Sequence, residues 1–318
     1  MNIPIVVVTE GSAPAPLAWL KTQVDVREVP LNDPKLDESL ASAQGLVIRT
    51  YTKVTEPFLD KCPQLRVIGR GGVGVENIDV KACRRRGIEV VFTPDANTLA
   101  VGDFVIGLML QLLRPWCFFK EQVYPPAEFK AIRERMRGRQ LNESTLGILG
   151  MGRVGRRMGH IAALGFGMRV IYNDLENVAA LLDFPATSVD APTLYRDSDV
   201  LSIHVDMRPG NEHLVGRDQI AQMRPTSILI NTSRGEVLDP HALAAAIREK
   251  RLAGAALDVY SPEPPERGFP LLGFDNVLLS PHMAARTETA LENMSWVVRD
   301  VVAVLVGQKP VYPVPTWR

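Results

Sequence analysis

The chain has 318 residues, 46% of them apolar and 23% charged, and its 36 basic and 36 acidic side chains cancel to a formal net charge of zero. That balance argues against a general electrostatic role on nucleic acid or on an anionic membrane surface. Cys62, Cys83 and Cys117 are scattered, odd in number and outside any C-x-x-C pattern, which fits reduced thiols better than a disulfide frame or a zinc site. The length suits about two domains with good cores. No stretch approaches about eighteen uninterrupted apolar residues. The apolar run over residues 1–9 has no basic region before it and reads as a first strand, so a cytoplasmic location is expected.

In chain order, residues 3–8 form a β-branched run suited to a strand buried on both faces. Pro14 and Pro16 open a short helix through Leu20, and residues 24–29 alternate as an edge strand does. Residues 46–48, 66–68 and 89–92 are further short apolar runs, each after a helical segment. Strands alternating with helices over short links predict a parallel α/β unit over roughly residues 1–94. A long apolar helix is expected over residues 98–114 with Thr98 as N-cap. Gly102 and Gly107 inside it each cost about 1 kcal/mol unless close packing uses the missing side chain. Residues 116–139 read as mixed helix and loop.

The next stretch, GILGMGRVG, holds Gly150, Gly152 and Gly155 in the spacing G-x-G-x-x-G between an apolar strand and a helix opened by Arg153 and Val154. A tight turn there leaves the first helical N–H groups pointing outward, and with the helix dipole they form a site for a pyrophosphate. Residues 169–172 read as the following strand, and Asp174 comes nineteen positions after Gly155. A carboxylate at that strand end can accept hydrogen bonds from both ribose hydroxyls of an adenosine. The constellation predicts dinucleotide binding.

Residues 199–203, 227–230, 254–257 and 277–279 supply more strands. Asp239 and Pro240 start a well-marked helix with apolar Leu243 and Ile247, Lys250 and Arg251 in its last turn and Gly254 beyond. Thr287 caps a final long helix with Leu291, Met294, Val298, Val301, Val302 and Leu305 on one face. The tail from Lys309 has no periodicity.

In open α/β sheets ligands bind at the carboxyl ends of strands. Arg234 sits at such an end, and a guanidinium binds a carboxylate through two parallel hydrogen bonds. Of the five histidines, His160 reads as packed or solvated and His213 and His241 as surface residues. His204 and His282 each follow a strand, so spacing leaves both as catalytic candidates. Glu263 lies on a proline-stiffened loop after the strand ending at Asp258. Gly72, Val73 and Gly74 belong to a glycine-dense loop, RGGVG, where backbone can come close to a ligand.

The runs NTSRGEVLD, GAALDVYSPEP and SPHMA, in that order, resemble the D-isomer-specific 2-hydroxyacid dehydrogenases. The likeness continues through the glycine fingerprint and RGGVGVENID. It implies two Rossmann-like or flavodoxin-like parallel-sheet domains with a cleft between them: an NAD-binding domain over residues 95–285 and a substrate-binding domain over residues 1–94 plus 286–318. It implies a catalytic set of Arg234, Glu263 and His282, choosing His282 over His204. It implies that His204, Val205, Thr232 and Ser233 line the cofactor and that Asp258 holds the nicotinamide amide. Backbone N–H groups near Val73 and Gly74 would meet the substrate carboxylate. The implied assembly is a homodimer with the Thr98 helix at its interface, and the implied form is a short one without a regulatory domain. Two departures stand out. Gly102-Asp103 replaces the usual Ala-Glu pair, and Asp206 replaces the usual proline after His204-Val205.

Several expectations follow. A hydride would pass between nicotinamide and C2 of the substrate, with His282 as proton donor in reduction and Glu263 stabilising the imidazolium. Asp174 and Glu176 favour NAD over NADP. Arg49, Arg70 and, with weaker alignment, Arg133 suit a second anion. These segments resemble those of D-3-phosphoglycerate dehydrogenases, so a phosphorylated or otherwise dianionic 2-hydroxy acid is expected, with glyoxylate or hydroxypyruvate as the alternative. A non-catalytic nucleotide-sensing corepressor or scaffold of the same fold shares the three catalytic-type residues. It would call for a peptide-docking cleft and a long disordered tail, and the sequence offers no such tail.

Overall fold

Residues 3–115 and 124–315 are described by the computed structural model, so Cys117 lies outside the described residues. The chain divides into two compact units, one made of residues 1–97 and 285–318, the other of residues 98–284.

The first unit holds β1 (Ile5–Val8), β2 (Asp25–Glu28), β3 (Gly45–Ile48), β4 (Val67–Arg70) and β5 (Glu89–Phe92), all parallel, in the order β2-β1-β3-β4-β5. Alternate residues of each strand enter opposite cores. Val7, Leu46, Ile48, Ile68 and Val90 face one side, and Val6, Val8, Val47, Val67 and Val91 face the other with Val297, Val298, Val301 and Leu305. The near-continuous apolar strands follow from this double burial. Gly69 makes room for the second core, because a Cβ there would lie 2.4 Å from Val301 Cγ2. The tail covers the outer edge of β5. Phe92 N donates to Tyr312 O and Val314 N to Val90 O, while buried Asp300 accepts from Val311 N and Tyr312 N at 2.9 and 2.8 Å.

The second unit holds β6 (Thr145–Leu149), β7 (Arg169–Asn173), β8 (Thr187–Ser188), β9 (Val200–Ile203), β10 (Ile228–Asn231), β11 (Gly254–Leu257) and β12 (Val277–Leu279). All pair in parallel in the order β12-β11-β10-β9-β6-β7-β8. The chain moves outward through β7 and β8, then returns to the other side of β6 to lay down β9. The carboxyl ends of β6 and β9 are therefore the topological switch point, where sheets of this kind bind ligands. Among the described residues no helix is long and apolar enough to cross a membrane.

The helix Thr98–Leu113 explains one of its two glycines. A Cβ on Gly102 would meet Arg157 Cγ at 2.7 Å, whereas one on Gly107 meets nothing within 4 Å. Asp103 accepts from the same Arg157 at 3.4 Å, so the Gly-Asp departure from the family pattern accompanies an arginine packed across it.

Three local expectations are corrected. Thr98 is the first helical residue, and its buried hydroxyl has no partner, so it does not cap. The helix Pro240–Arg248 is capped by Asp239, which accepts from His241 N and Ala242 N. Its left-handed exit residue is Lys250 at φ 56°, while Gly254 already belongs to β11. The final helix is two, Glu288–Ser295 and Val298–Leu305. At the joint the Ser295 hydroxyl donates back to Leu291 O at 2.8 Å and accepts from Ala13 N at 3.0 Å. Back-bonding of this kind bends helices.

Candidate active site

Gly150 follows β6 at φ 93°, a left-handed conformation that favours glycine. A Cβ there would lie 2.9 Å from the His204 carbonyl carbon and 3.0 Å from Val205 Cγ1, and one on Gly155 would lie 2.2 Å from Gly150 O. Gly152 is different, because nothing stands within 4 Å of an added Cβ. Two glycines close the turn, and the middle one faces open space at the start of the helix Arg153–His160, where Gly152 supplies no side-chain cap. Asp174, just past β7, lies against this turn. Its carboxylate accepts from Met151 N at 2.6 Å and from Glu176 N at 2.9 Å.

The neighbouring strand ends continue the surface. Thr232, just past β10, has a buried hydroxyl with no partner. A buried polar atom left unsatisfied is costly, so the Thr232 hydroxyl at this strand end has the capacity to bond a ligand. The open start of the helix, the carboxylate at Asp174 and the Thr232 hydroxyl together fit a dinucleotide. Ser233 is occupied internally, since both its N–H and its hydroxyl donate to Asn231 Oδ1 at 3.0 and 2.8 Å. Past β9, Asp206 grips Arg208 through two hydrogen bonds of 2.8 and 2.9 Å. Arg208 also feels the charges of Asp174 and Glu176, so this guanidinium belongs to the same corner.

His204 and His282 are separated by environment. His204 Nε2 lies 2.8 Å from Ser202 Oγ, and burial pushes its imidazole down to about 4, although one edge of the residue keeps some exposure. At neutral pH it is the neutral imidazole and not an imidazolium acid. The exposed His282, at φ 50°, places Nδ1 2.7 Å from Glu263 Oε2. Glu263 Oε1 accepts from Tyr260 N at 3.0 Å. Burial pushes the Glu263 carboxyl up, but the His282 hydrogen bond and charge, the Tyr260 N–H and the Arg234 charge outweigh it and hold the group below the ordinary carboxylate value.

Arg234 enters this cluster because its loop is pressed on the Glu263 loop. A Cβ on Gly235 would sit 2.0 Å from the Tyr260 carbonyl carbon, so only glycine lets the two backbones meet. Asn231 Nδ2 donates to Arg234 O, and Arg234 Nη1 donates to Ser233 O.

Asp258 is fully buried, and three protein donors reach its carboxylate, which has room for a further donor. Oδ1 accepts from Ser280 Oγ at 2.6 Å and Met283 N at 2.9 Å, and Oδ2 accepts from Ala284 N at 2.8 Å. It anchors the loop that carries His282. Tyr260 adds a second anchor by donating its hydroxyl to Ser280 O at 2.8 Å.

In the first unit, Arg49 follows β3 and Arg70 ends β4. Arg70 folds back over its own loop, donating Nη1 to Gly71 O at 3.0 Å across Gly72, which has φ 148°. Gly74 is buried and Val73 half-buried. Glu10, past β1, organises the loop after β3 by accepting from Arg49 N, Tyr51 N, Thr52 N and the Thr52 hydroxyl. Its neighbour Thr9 bonds the same hydroxyl at 2.7 Å. Glu56 pairs with Arg85 and Arg86. Arg133 is exposed on the helix Pro126–Arg135, which has no buried residue. His160 is paired with Asp183 at 3.1 Å. Sequence reasoning missed Glu10, Gly235 and Tyr260, whose partners lie far along the chain or on backbone. Among the described residues no three or more His, Cys, Asp or Glu side chains gather to hold a metal ion.

The family model described as D-isomer specific 2-hydroxyacid dehydrogenase, NAD binding domain, matches residues 106–284. A D-3-phosphoglycerate dehydrogenase of Methanocaldococcus jannaschii is 37% identical over 282 residues, which is 87% of this chain and 53% of that protein. The chain thus spans about half the length of the phosphoglycerate dehydrogenases it matches. A glyoxylate reductase of Aeropyrum pernix is 34% identical over 328 residues, covering 98% of this chain and 95% of that protein. The crystal structure of a glyoxylate reductase from Paecilomyes thermophila matches with a TM-score of 0.85 at 27% identity, over 100% of both chains. The glycine turn, the Rossmann strand order and these matches agree: the chain belongs to the D-isomer specific 2-hydroxyacid dehydrogenase family and carries that family's NAD-binding domain.

Proposed function

We propose that the protein interconverts a D-2-hydroxy acid and the corresponding 2-oxo acid with NAD as redox partner. The observation that carries this reading is the short His282–Glu263 pair with the charge of Arg234 beside it. Bound NAD supplies or accepts a hydride at the substrate's C2. In reduction, the developing alkoxide takes the proton of His282. In oxidation, neutral His282 removes the hydroxyl proton. Glu263 holds the ring through Nδ1, leaves Nε2 for the substrate and stabilises the imidazolium. Arg234 holds the carboxylate and polarises the carbonyl.

Gly150, Gly152, Gly155 and the N–H groups of Arg153 and Val154 would receive the pyrophosphate, and Asp174 the adenosine ribose. His204, Val205, Thr232 and Ser233 would complete the cofactor's bed. Gly72, Val73 and Gly74 would offer backbone to the substrate carboxylate. Arg49, Arg70 and Arg133 would favour a phosphorylated or otherwise dianionic substrate, with glyoxylate and hydroxypyruvate as the alternative. The same reading makes the protein a cytoplasmic homodimer. The Thr98–Leu113 helix supports that assembly, because Leu99 is 62% exposed and Phe104, Ile106 and Leu110 are only partly covered. Light scattering of the purified protein tests the dimer.

The activity test is a panel of 2-oxo acids with NADH, followed by loss of the reduced nicotinamide's absorbance. Turnover abolished by His282→Ala supports the reading, and a protein that reduces no member of the panel overturns it.

A further inference from the structure

The strand β10 is apolar until its last residue. Ile228, Leu229 and Ile230 are buried, and Asn231, which ends the strand, is fully buried with them. A buried amide is favourable only where its oxygen and its N–H groups find partners. Asn231 finds them in the residues that follow it. Ser233 N and Ser233 Oγ both donate to Oδ1, at 3.0 and 2.8 Å, and Nδ2 donates to Arg234 O at 2.9 Å. A backbone N–H can only donate and a carbonyl can only accept, so these partners fix which end of the amide faces which.

The side chain of Arg234 closes the circuit, because its Nη1 donates to Ser233 O at 2.7 Å. That carbonyl belongs to the peptide joining Ser233 to Arg234. Asn231 holds the groups on both flanks of this peptide, Ser233 N and Oγ before it and Arg234 O after it. The direction of the guanidinium is thus set by a peptide that the Asn231 amide orients. The main chain of Asn231 ties the same loop to the next strand end, since its carbonyl accepts from Asp258 N at 3.0 Å. An apolar residue at 231 would continue the pattern of β10 and leave the Ser233 donors and the Arg234 carbonyl without this partner.

We propose that Asn231 is a positioning residue for the reaction: its amide aims the Arg234 guanidinium at the substrate carboxylate. The proposal rests on the oxidoreductase reading above for the role of Arg234. A guanidinium fork matches a carboxylate only when its plane is correctly turned, so a small change in its direction loses one of two parallel hydrogen bonds. An ammonium on a flexible stem has no such plane to aim.

Oxamate, an unreactive analogue of a 2-oxo acid, reports on Arg234 whether or not turnover is found. Its affinity for the NADH complex is read from the fluorescence of bound NADH in wild type, Asn231→Ala, Arg234→Lys and the double variant, with thermal melts to establish folding. Loss of a charge-assisted hydrogen bond predicts about ten- to a hundredfold weaker oxamate binding in Asn231→Ala, and a rise in KM for the 2-oxo acid by a similar factor, with NADH affinity affected far less. In the Arg234→Lys background the same Asn231→Ala change should cost about twofold or less, because the fork it aims is gone. Equal costs in the two backgrounds mean a structural role and overturn the proposal, as does an Asn231→Ala protein that binds oxamate as wild type does. If Asn231→Ala does not fold, Ser233→Ala removes one donor to Oδ1 and spares the backbone bonds, and a severalfold loss that disappears with Arg234→Lys is expected. Wild type that binds oxamate but reduces no 2-oxo acid overturns the oxidoreductase reading instead, and the coupling between residues 231 and 234 still decides the positioning.

Discussion

His282 Nδ1 lies 2.7 Å from Glu263 Oε2, and the second oxygen of that carboxylate is held by Tyr260 N. The lowered Glu263 carboxyl stays ionised from neutral pH down past the ordinary carboxylate range. The negative charge of Glu263 is thus present above the lowered value and is lost only as the pH falls through it. Glu263→Gln removes the charge that stabilises the imidazolium, so the proton-donating form should survive only to lower pH. The pH profile of kcat/KM for reduction should move to lower pH, and a profile that stays in place would show that the pair is not functional. His282→Ala should cost about 10²- to 10⁴-fold in turnover while NADH still binds. If His204→Ala is the inactive variant instead, the choice between the two histidines is wrong.

Asp258 offers a test of positioning against cofactor contact. In Asp258→Asn one oxygen becomes an amide that cannot accept, so at least one of the Ser280, Met283 and Ala284 donors loses its partner in a buried place. The expected cost is about 1–3 kcal/mol, or roughly 2–12 °C in Tm for a unit of this size. Turnover should fall more than NADH affinity, because the loop carrying His282 loosens. An unchanged Tm with weakened NADH binding would show that Asp258 acts on the cofactor and not through the loop.

The elements legible in the sequence were those written in local pattern. Apolar runs marked β1, β3 and β6, Asp239-Pro240 marked a helix start, and the glycine spacing marked the turn at the switch point. What escaped was set by partners far along the chain. The break between the last two helices involves Ser295 and Ala13 N, 282 positions away. The donors to Glu10 come from 39 to 42 positions later. The anchoring contacts of Asp258 escaped for the same reason, since its hydrogen-bond partners lie 22 to 26 positions on. Short β8, of two residues, has no apolar run at all.

Two glycines should respond oppositely to alanine. At Gly235 the new methyl would fall 2.0 and 2.1 Å from the Tyr260 carbonyl carbon and oxygen, which are backbone and cannot rotate away. Gly235→Ala should destabilise by about 1–3 kcal/mol and lower turnover by parting the Arg234 loop from the Glu263 loop. At Gly107, exposed in a helix with nothing within 4 Å, alanine should stabilise by up to about 1 kcal/mol. Thermal melts of both variants check this, and a silent Gly235→Ala would refute the packing account of Arg234.

Cofactor choice turns on the charges around Asp174. Its carboxylate is fixed on the glycine turn through Met151 N, and Glu176 and Asp206 stand in the same corner. Arg208 is the cation that answers them, and Asp206 already grips it in two hydrogen bonds. A 2′-phosphate would therefore meet an excess of negative charge. Two unit charges about 4 Å apart repel by roughly 4 kcal/mol at an effective dielectric near 20, and an open site delivers a fraction of that. Even about 1 kcal/mol is roughly fivefold in affinity. NADH should bind several-fold or more tightly than NADPH in fluorescence titrations. Asp174→Ala should weaken both, since the turn loses a hydrogen bond, but should narrow the ratio between them. Arg208→Ala should widen it, and raising the salt concentration should narrow it in every variant. Wild-type protein that binds NADPH as tightly as NADH would sink this account of Asp174.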